Sequence, residues 1–183
     1  MVEDDDRLII RECLEGSERA FEMLVDKYQR VVFNVAYRMT NDHDASEDIT
    51  QAVFVKVFEN LGGYDARYKF FSWLYRMAIN ESLNHLKHTR RNEELSPALV
   101  SNEKSPDQSY GEAELRRKIQ DSLMDLAPEH RMLIVMRHYG DRSYKEIGEV
   151  LGIPEKMVKS RLFTARHLLR DILAKRGVLR NDS

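Results

Sequence analysis

SYKEIGEVLGIPEKMVKSRLFTARHLLRDILAK, residues 143–175, reads as two helices and the turn between them. Ser143 with Glu146 three residues later is a capping box, in which each side chain satisfies a backbone amide at a helix start. Ile147, Val150 and Leu151 give the short first helix one apolar side. Gly152 supplies the left-handed residue that ends it. Pro154 opens the next helix, where its missing amide proton costs nothing. Val158, Leu162, Ala165, Leu169 and Ile172 then recur at spacings of three and four, the stripe of a helix with one buried face. A short helix, a glycine turn and a longer basic helix make a helix-turn-helix pattern.

The opposite face of the second helix carries the information. At about 100° per residue, Lys156, Ser160, Phe163 and His167 lie across from the apolar stripe, flanked by Lys159 and Thr164. From Glu155 to Arg176 there are seven Lys and Arg against two Asp and Glu. Cations suit phosphates, while a hydroxyl and an aromatic ring suit base edges in a major groove. A merely solvated amphipathic helix would also be charged. Capping, turn and charge agree on a DNA reader.

The 183 residues suffice for one domain or two small ones, and 42% hydrophobic with 33% charged residues describes a soluble helical chain. No run approaches the ~20 apolar residues of a membrane span. The start, MVEDDDRLII, is acidic where a secretory signal would be basic, so a cytoplasmic location is expected. The single cysteine, Cys13, excludes an internal disulfide and a multi-cysteine zinc site, and is expected under the first helix. A net charge of −2 argues against nucleic acid until it is resolved along the chain. Residues 67–91 hold six basic and one acidic residue, and residues 142–176 hold nine and four. Residues 1–66 hold seven and fifteen, and residues 92–129 four and nine. Two basic islands in an acidic chain predict two nucleic-acid contacts, with the acidic parts facing something else.

Helical periodicity runs through the rest, and no alternating strand pattern appears. A short helix at 7–15 ends near Gly16, and Ser17 caps a second with Phe21, Leu24, Val25, Tyr28, Val32, Val35 and Met39 on one face. After a loop at 40–43, Asp44 and Glu47 resemble another capping box, and Ile49, Val53, Phe54, Val57, Phe58 and Leu61 predict a largely buried third helix. Gly62-Gly63 stops it, and a fourth helix runs from Phe70 to about Arg90. Residues 92–111 replace periodic hydrophobics with Ser, Asn, Glu and two prolines, the composition of a flexible linker. Leu115, Ile119, Leu123 and Leu126 restart a helix that Pro128 interrupts. The fold class is therefore all-α: helical domains at 1–91 and 112–178, the linker 92–111 between them, and a tail at 179–183.

The fourth helix is the second basic island. Ser72, Arg76, Asn80 and Asn84 stand four apart on one face, continued by Lys87 and Arg91, with Phe70, Phe71, Trp73 and Tyr75 crowding the start. Amides bond base edges and rings stack on unpaired bases, so this mixture fits single-stranded or melting DNA. Several of these rings must nevertheless be core. The third helix presents Asp48, Gln51, Val55 and Glu59 outward, an acidic and apolar mixture suited to a protein partner. No catalytic constellation or phosphate loop appears. His85 and His88 lack a third local ligand, and no cofactor or metal is expected. A stand-alone helix-turn-helix regulator that dimerises on paired half-sites remains the alternative.

Three collinear blocks now carry a resemblance: DASEDITQAVFVKVFENL, KFFSWLYRMAINESLNHLKHTRR and LAPEHRMLIVMRHYGDRSYKEIGEVLGIPEKMVKSRLFTARHLL. Together they closely resemble the extracytoplasmic-function sigma factors of bacterial RNA polymerase. The resemblance implies that 48–61, with Asp48, Gln51, Val55 and Glu59, binds the core polymerase clamp. It implies that 70–87, with Phe70, Trp73, Arg76, Asn80, Asn84 and Lys87, recognises and melts the minus-10 element of promoter DNA. The loop 63–69 would hold a flipped base, and Lys156, Lys159, Ser160, Phe163, Thr164 and His167 would read the minus-35 element. An anti-sigma partner, and a monomer when free, are expected on the same ground. Lys156-Met157-Val158 stands where the family often has Gly-Thr-Val, Thr164 where it often has Arg, and Asn84 where it often has Asp.

Overall fold

The computed structural model describes residues 2–95 and 111–179, so the linker expected at 92–111 and the tail expected at 179–183 fall largely outside the described residues. Eight α-helices appear among them. They are α1 (Val2–Leu14), α2 (Glu18–Thr40), α3 (His43–Asn60), α4 (Phe70–Leu95), α5 (Glu112–Met124), α6 (Pro128–Ile134), α7 (Tyr144–Leu151) and α8 (Glu155–Lys175). A 3₁₀ turn at Leu61–Gly63 ends α3, and a π turn at Val135–Tyr139 continues α6.

Local chemistry explains the boundaries. Ser17 accepts from the Ala20 amide and starts α2 as expected. The cap of α3 lies two residues earlier than Asp44. Asn41 takes the left-handed conformation that ends α2, which leaves Asp42 extended and able to accept from the Ala45 amide at 2.9 Å. Asp44 sits instead in the first turn, where its negative charge is favoured by the positive end of the helix dipole. The capping box of Ser143 and Glu146 is complete in both directions, and Gly152 ends α7 with φ of 65°. α4 runs on to Leu95 and α1 begins at Val2, both beyond the sequence expectation.

Helices α1 to α4 bury Leu24, Val32, Met39, Val53, Val57, Leu74 and Ile79 between them. The second half buries Leu133, Met136, Ile147, Val158 and Leu162. Phe58 departs from its expected burial: its ring is 70% exposed, touching Phe21 edge-on at 5.3 Å. Cys13 is partly buried, and that burial raises its thiol pKa.

The two halves also pack on each other. Tyr75 of α4 is fully buried, its hydroxyl donating to the Val135 carbonyl, and desolvation carries its pKa well above the ordinary tyrosine range. Gly140 makes that approach possible, because a Cβ there would lie 2.6 Å from the Tyr75 hydroxyl. Arg131 is buried and donates to the carbonyls of Leu123, Met124 and Leu126 behind α5, and to that of Met39 at the end of α2. Arg38 donates to Gln120 Oε1 at 2.7 Å, and Gln120 donates to the Tyr37 carbonyl.

The two candidate caps of α3 separate by stability. Asp42→Ala should cost about 1 kcal/mol, because an orphaned first-turn amide replaces the cap. Asp44→Ala should cost less, about 0.3–0.5 kcal/mol of helix-dipole interaction. Urea unfolding of both variants decides, and the reverse order would restore Asp44 as the cap.

Candidate nucleic-acid interface

The recognition face of α8 is built by its opposite side. Val158, Leu162 and Ala165 are fully buried and fix the helix rotation. Lys156, Lys159, Ser160, Phe163, Thr164 and His167 are thereby all exposed. The Phe163 ring is 65% exposed and rests edge-on against His167, with ring centres 4.3 Å apart. Lys159 pairs with Glu155 at 2.9 Å, one turn away. The Thr164 hydroxyl is turned back to the Ser160 carbonyl.

A second cationic cluster flanks α7, and reading α8 alone missed it. Arg166 donates to the Tyr144 hydroxyl and to His138 Nε2, while Arg137 and Lys159 stand 5.8 Å from the Tyr144 ring. The hydrogen bond and charge of Arg166 lower the Tyr144 pKa. Burial, with Arg166 and Arg137 adding repulsion, lowers that of His138. The sequence signal was the net charge of 142–176, but the convergence depends on the angle between helices.

On α4, Arg76, Asn80, Asn84 and Lys87 share an exposed face, and Trp73 is half-buried beside it. Phe70 does not join them. Its ring is 2% exposed, packed on Tyr28, Tyr64 and Trp73, so it anchors the helix start and presents no face to a ligand in this arrangement. Between the 61–68 turn and α4 lies a cleft of about 380 Å³, walled by Tyr64, Tyr68, Trp73 and Arg76. Glu149 and Val150 of α7 form its far side, and Arg76 donates to the Glu149 carbonyl. Asp65 holds the turn by a bidentate pair with Arg67, a bond that lowers its pKa.

The outer face of α3 presents Asp48, Gln51, Val55 and Glu59, all exposed, with Val55 55% exposed beside the Phe58 ring. Acid and hydrocarbon are therefore displayed together, as the sequence pattern required. His85 shares a hydrogen bond with Thr89 one turn later, at 3.3 Å.

Two domain models match the chain: Sigma-70 region 2 over residues 24–92 and Sigma-70 region 4 over residues 122–171. Every site described above falls within one or the other. The chain belongs to the ECF sigma factors. It is 29% identical over 173 residues to the ECF RNA polymerase sigma factor SigW of Bacillus subtilis, covering 88% of this chain and 92% of that protein. It is 34% identical over 162 residues to ECF sigma factor SigE of Mycolicibacterium smegmatis, covering 85% of this chain and 62% of that one. The fold matches the sigma factor RpoE of Bartonella quintana, solved with the anti-sigma factor NepR, at a TM-score of 0.71 and 20% identity over 84% of this chain and 96% of that one. This ECF sigma factor is thus an RNA polymerase sigma factor, and the stand-alone regulator is not favoured. Its helix-turn-helix lies within region 4, and no described helix is long and apolar enough to cross a membrane.

The buried and displayed rings predict opposite responses. Phe70→Ala should destabilise the fold by about 3–5 kcal/mol through the cavity it leaves. Phe163→Ala should leave stability within about 0.5 kcal/mol, as at any exposed position. Thermal and urea unfolding of the two variants test the assignment, and equal losses would contradict it.

Proposed function

We propose that this sigma factor binds core RNA polymerase through the outer face of α3 and grips a promoter at two places. Asp48, Gln51, Val55 and Glu59 engage the polymerase clamp. Trp73, Arg76, Asn80, Asn84 and Lys87 hold the minus-10 element as it melts, and the cleft beside Tyr64 receives an unstacked base. Lys156, Lys159, Ser160, Phe163, Thr164 and His167 read the minus-35 element. Residues 1–91 and 112–178 act as the two functional domains. The subunit supplies recognition and strand separation, and the polymerase supplies the covalent chemistry. It works as a monomer in the cytoplasm when free, restrained by an anti-sigma protein as the fold neighbour from Bartonella quintana is found with one.

The observation that carries this reading is the simultaneous exposure of three chemically distinct faces. α3 shows acid and hydrocarbon, α4 amides and cations, and α8 cations around one ring. Val55 and Phe58, three apart on α3, expose an apolar patch among acids, and Phe163 exposes a ring among cations, the kind of surface a partner covers. Cations contribute sequence-independent affinity to phosphates, whereas rings and hydroxyls discriminate base edges. Thr164 lacks the fork of donors by which an arginine takes guanine, and Lys156-Met157 changes the entry to α8. The minus-35 preference is therefore this protein's own.

Transcription by core polymerase with this subunit on a randomised promoter library should select a narrow two-element consensus, and unselective transcription would sink the reading. Asp48→Arg should weaken core polymerase affinity by about tenfold or more, as a reversed charge at a docking surface costs over 1 kcal/mol. Gln51→Ala should weaken it less, with DNA contacts of the free protein intact; unchanged core affinity for both would remove α3 from the role. Lys159→Ala should weaken minus-35 binding on all sequences and reduce the salt slope by about 0.9. Phe163→Ala should change which sequences are preferred, and equal losses by both on every sequence would overturn that division of labour.

A further inference from the structure

Where the π turn, the start of α7 and the flank of α8 meet, Arg137, His138, Tyr144, Lys159 and Arg166 converge. Lys159 and Arg166 stand about two helical turns apart and so share one side of α8, at the edge of the face that carries Phe163. Two of these cations already have carboxylates: Lys159 pairs with Glu155 at 2.9 Å, and Arg137 with Asp141 at 3.4 Å. Among the described residues, Arg166 has none. Its Nε donates to His138 Nε2 at 3.3 Å and its Nη1 to the Tyr144 hydroxyl at 3.4 Å, so neither acceptor neutralises it. His138 reaches solvent, and to accept that bond it must be the neutral imidazole, with its proton on Nδ1. Partial desolvation of the ring favours this form first, and repulsion from Arg166 and Arg137 adds to it, so the pKa lies below the ordinary histidine value.

The geometry points to His138 as a DNA-binding residue that takes hold of a backbone phosphate only together with a proton. This rests on the minus-35 reading given above. In a helix-turn-helix the first helix crosses the phosphate backbone beside the groove that the second helix reads. The cluster stands on that boundary, between α7 and α8. A phosphodiester there brings one negative charge and two oxygens able to accept. Arg166 and the Tyr144 hydroxyl can donate to it as they stand. Neutral His138 cannot do so from Nε2, which is an acceptor. Once protonated it carries a donor at each nitrogen and lets go of the Arg166 Nε–H, leaving both donors for the same anion. Without phosphate this would crowd His138 against Arg166 and Arg137, an arrangement the free protein avoids by keeping the imidazole neutral. With phosphate, the anion favours the imidazolium and raises its pKa from the depressed value. Binding therefore takes up a proton. Affinity rises as the pH falls through the bound-state pKa, and above that pKa the gain is absent.

The test assembles the full chain on core polymerase and measures binding to a synthetic fluorescent promoter duplex carrying the sequence that the library selects. Affinity at about pH 5.5 is divided by affinity at about pH 8, a span that covers histidine titration. The ratio is taken for wild type and for His138→Gln, whose amide oxygen still accepts from Arg166 but takes up no proton. The polymerase and the other histidines are common to both proteins and cancel. The wild-type ratio should exceed the variant's by about three- to tenfold, as a pKa rise of about one-half to one unit on binding gives. The wild-type salt slope should be steeper at the lower pH by up to about 0.9. A methylphosphonate, which removes the charge of a single phosphate, should abolish the excess at the phosphate the cluster holds and not elsewhere along the element. His138→Lys, charged at both pH values, should bind about three- to tenfold more tightly than wild type at the higher pH, a gain that a misfolded protein cannot imitate. Equal ratios for wild type and His138→Gln, an excess that survives every methylphosphonate, or a His138→Lys no tighter than wild type overturns the proposal and leaves the promoter reading intact. A library that selects no minus-35 element, with no methylphosphonate in that stretch altering affinity, instead rejects the promoter reading of α8 and this proposal with it.

Discussion

A buried guanidinium with no carboxylate bonded to it holds this molecule together. Arg131 lies at the junction of the two halves and gives its donors to four carbonyls: Leu123, Met124 and Leu126 behind α5, and Met39 in the last turn of α2. Met39 lies in the last turn of α2, Leu123 and Met124 close α5 and Leu126 follows just beyond it, so the cation sits where both helix dipoles are negative. One cation therefore completes two helix termini from different halves of the chain. Desolvation lowers its pKa, with Asp125 acting in the opposite sense, yet a guanidinium stays charged at any physiological pH. The hydrogen bonds offset the solvation it lost. A lysine could not replace it, because a single ammonium lacks the planar fork that reaches acceptors on both sides.

From that anchor follow the relations that matter for function. With α2 and α5 joined at Arg131, α6 and its π turn bring Gly140 onto Tyr75, and α7 falls across the start of α4. The extra residue of the π turn carries the Gly140 amide to the Val135 carbonyl at 2.9 Å and swings Arg142 toward Phe71. A π turn is uncommon and tends to mark functional positions. Here it sets where the helix-turn-helix sits relative to α4.

Much of this was legible in the sequence because periodicity and capping are local. The stripe Val158, Leu162 and Ala165 fixes which side of α8 is exposed, and the capping box at Ser143 fixes where α7 starts. The errors came where local signals competed or distant packing decided. Asp44 and Glu47 have the spacing of a capping box, but Asn41 tolerates a left-handed backbone and hands the cap to Asp42. Phe58 continues an apolar run yet faces outward, because Ala52 to Val55 with Val57 and Phe58 put apolar residues on several sides of α3 at once and their spacing does not rank those sides. Phe70 sits among rings that periodicity treats alike; only the fit of Tyr28 and Tyr64 makes it core. No local pattern announces that Arg131 would bond to Met39, ninety-two residues away.

The distribution of exposed and engaged groups implies an order of events. The acidic and apolar side of α3 and the cationic side of α8 are exposed in the packed arrangement, whereas Arg76 is bonded to the Glu149 carbonyl. Contacts available without rearrangement can form first, and each can be used at the cost of its own desolvation. A new acceptor for Arg76 has to displace the Glu149 carbonyl, so that contact draws on energy gained elsewhere. A ligand moves such an equilibrium only by binding one arrangement better than the other.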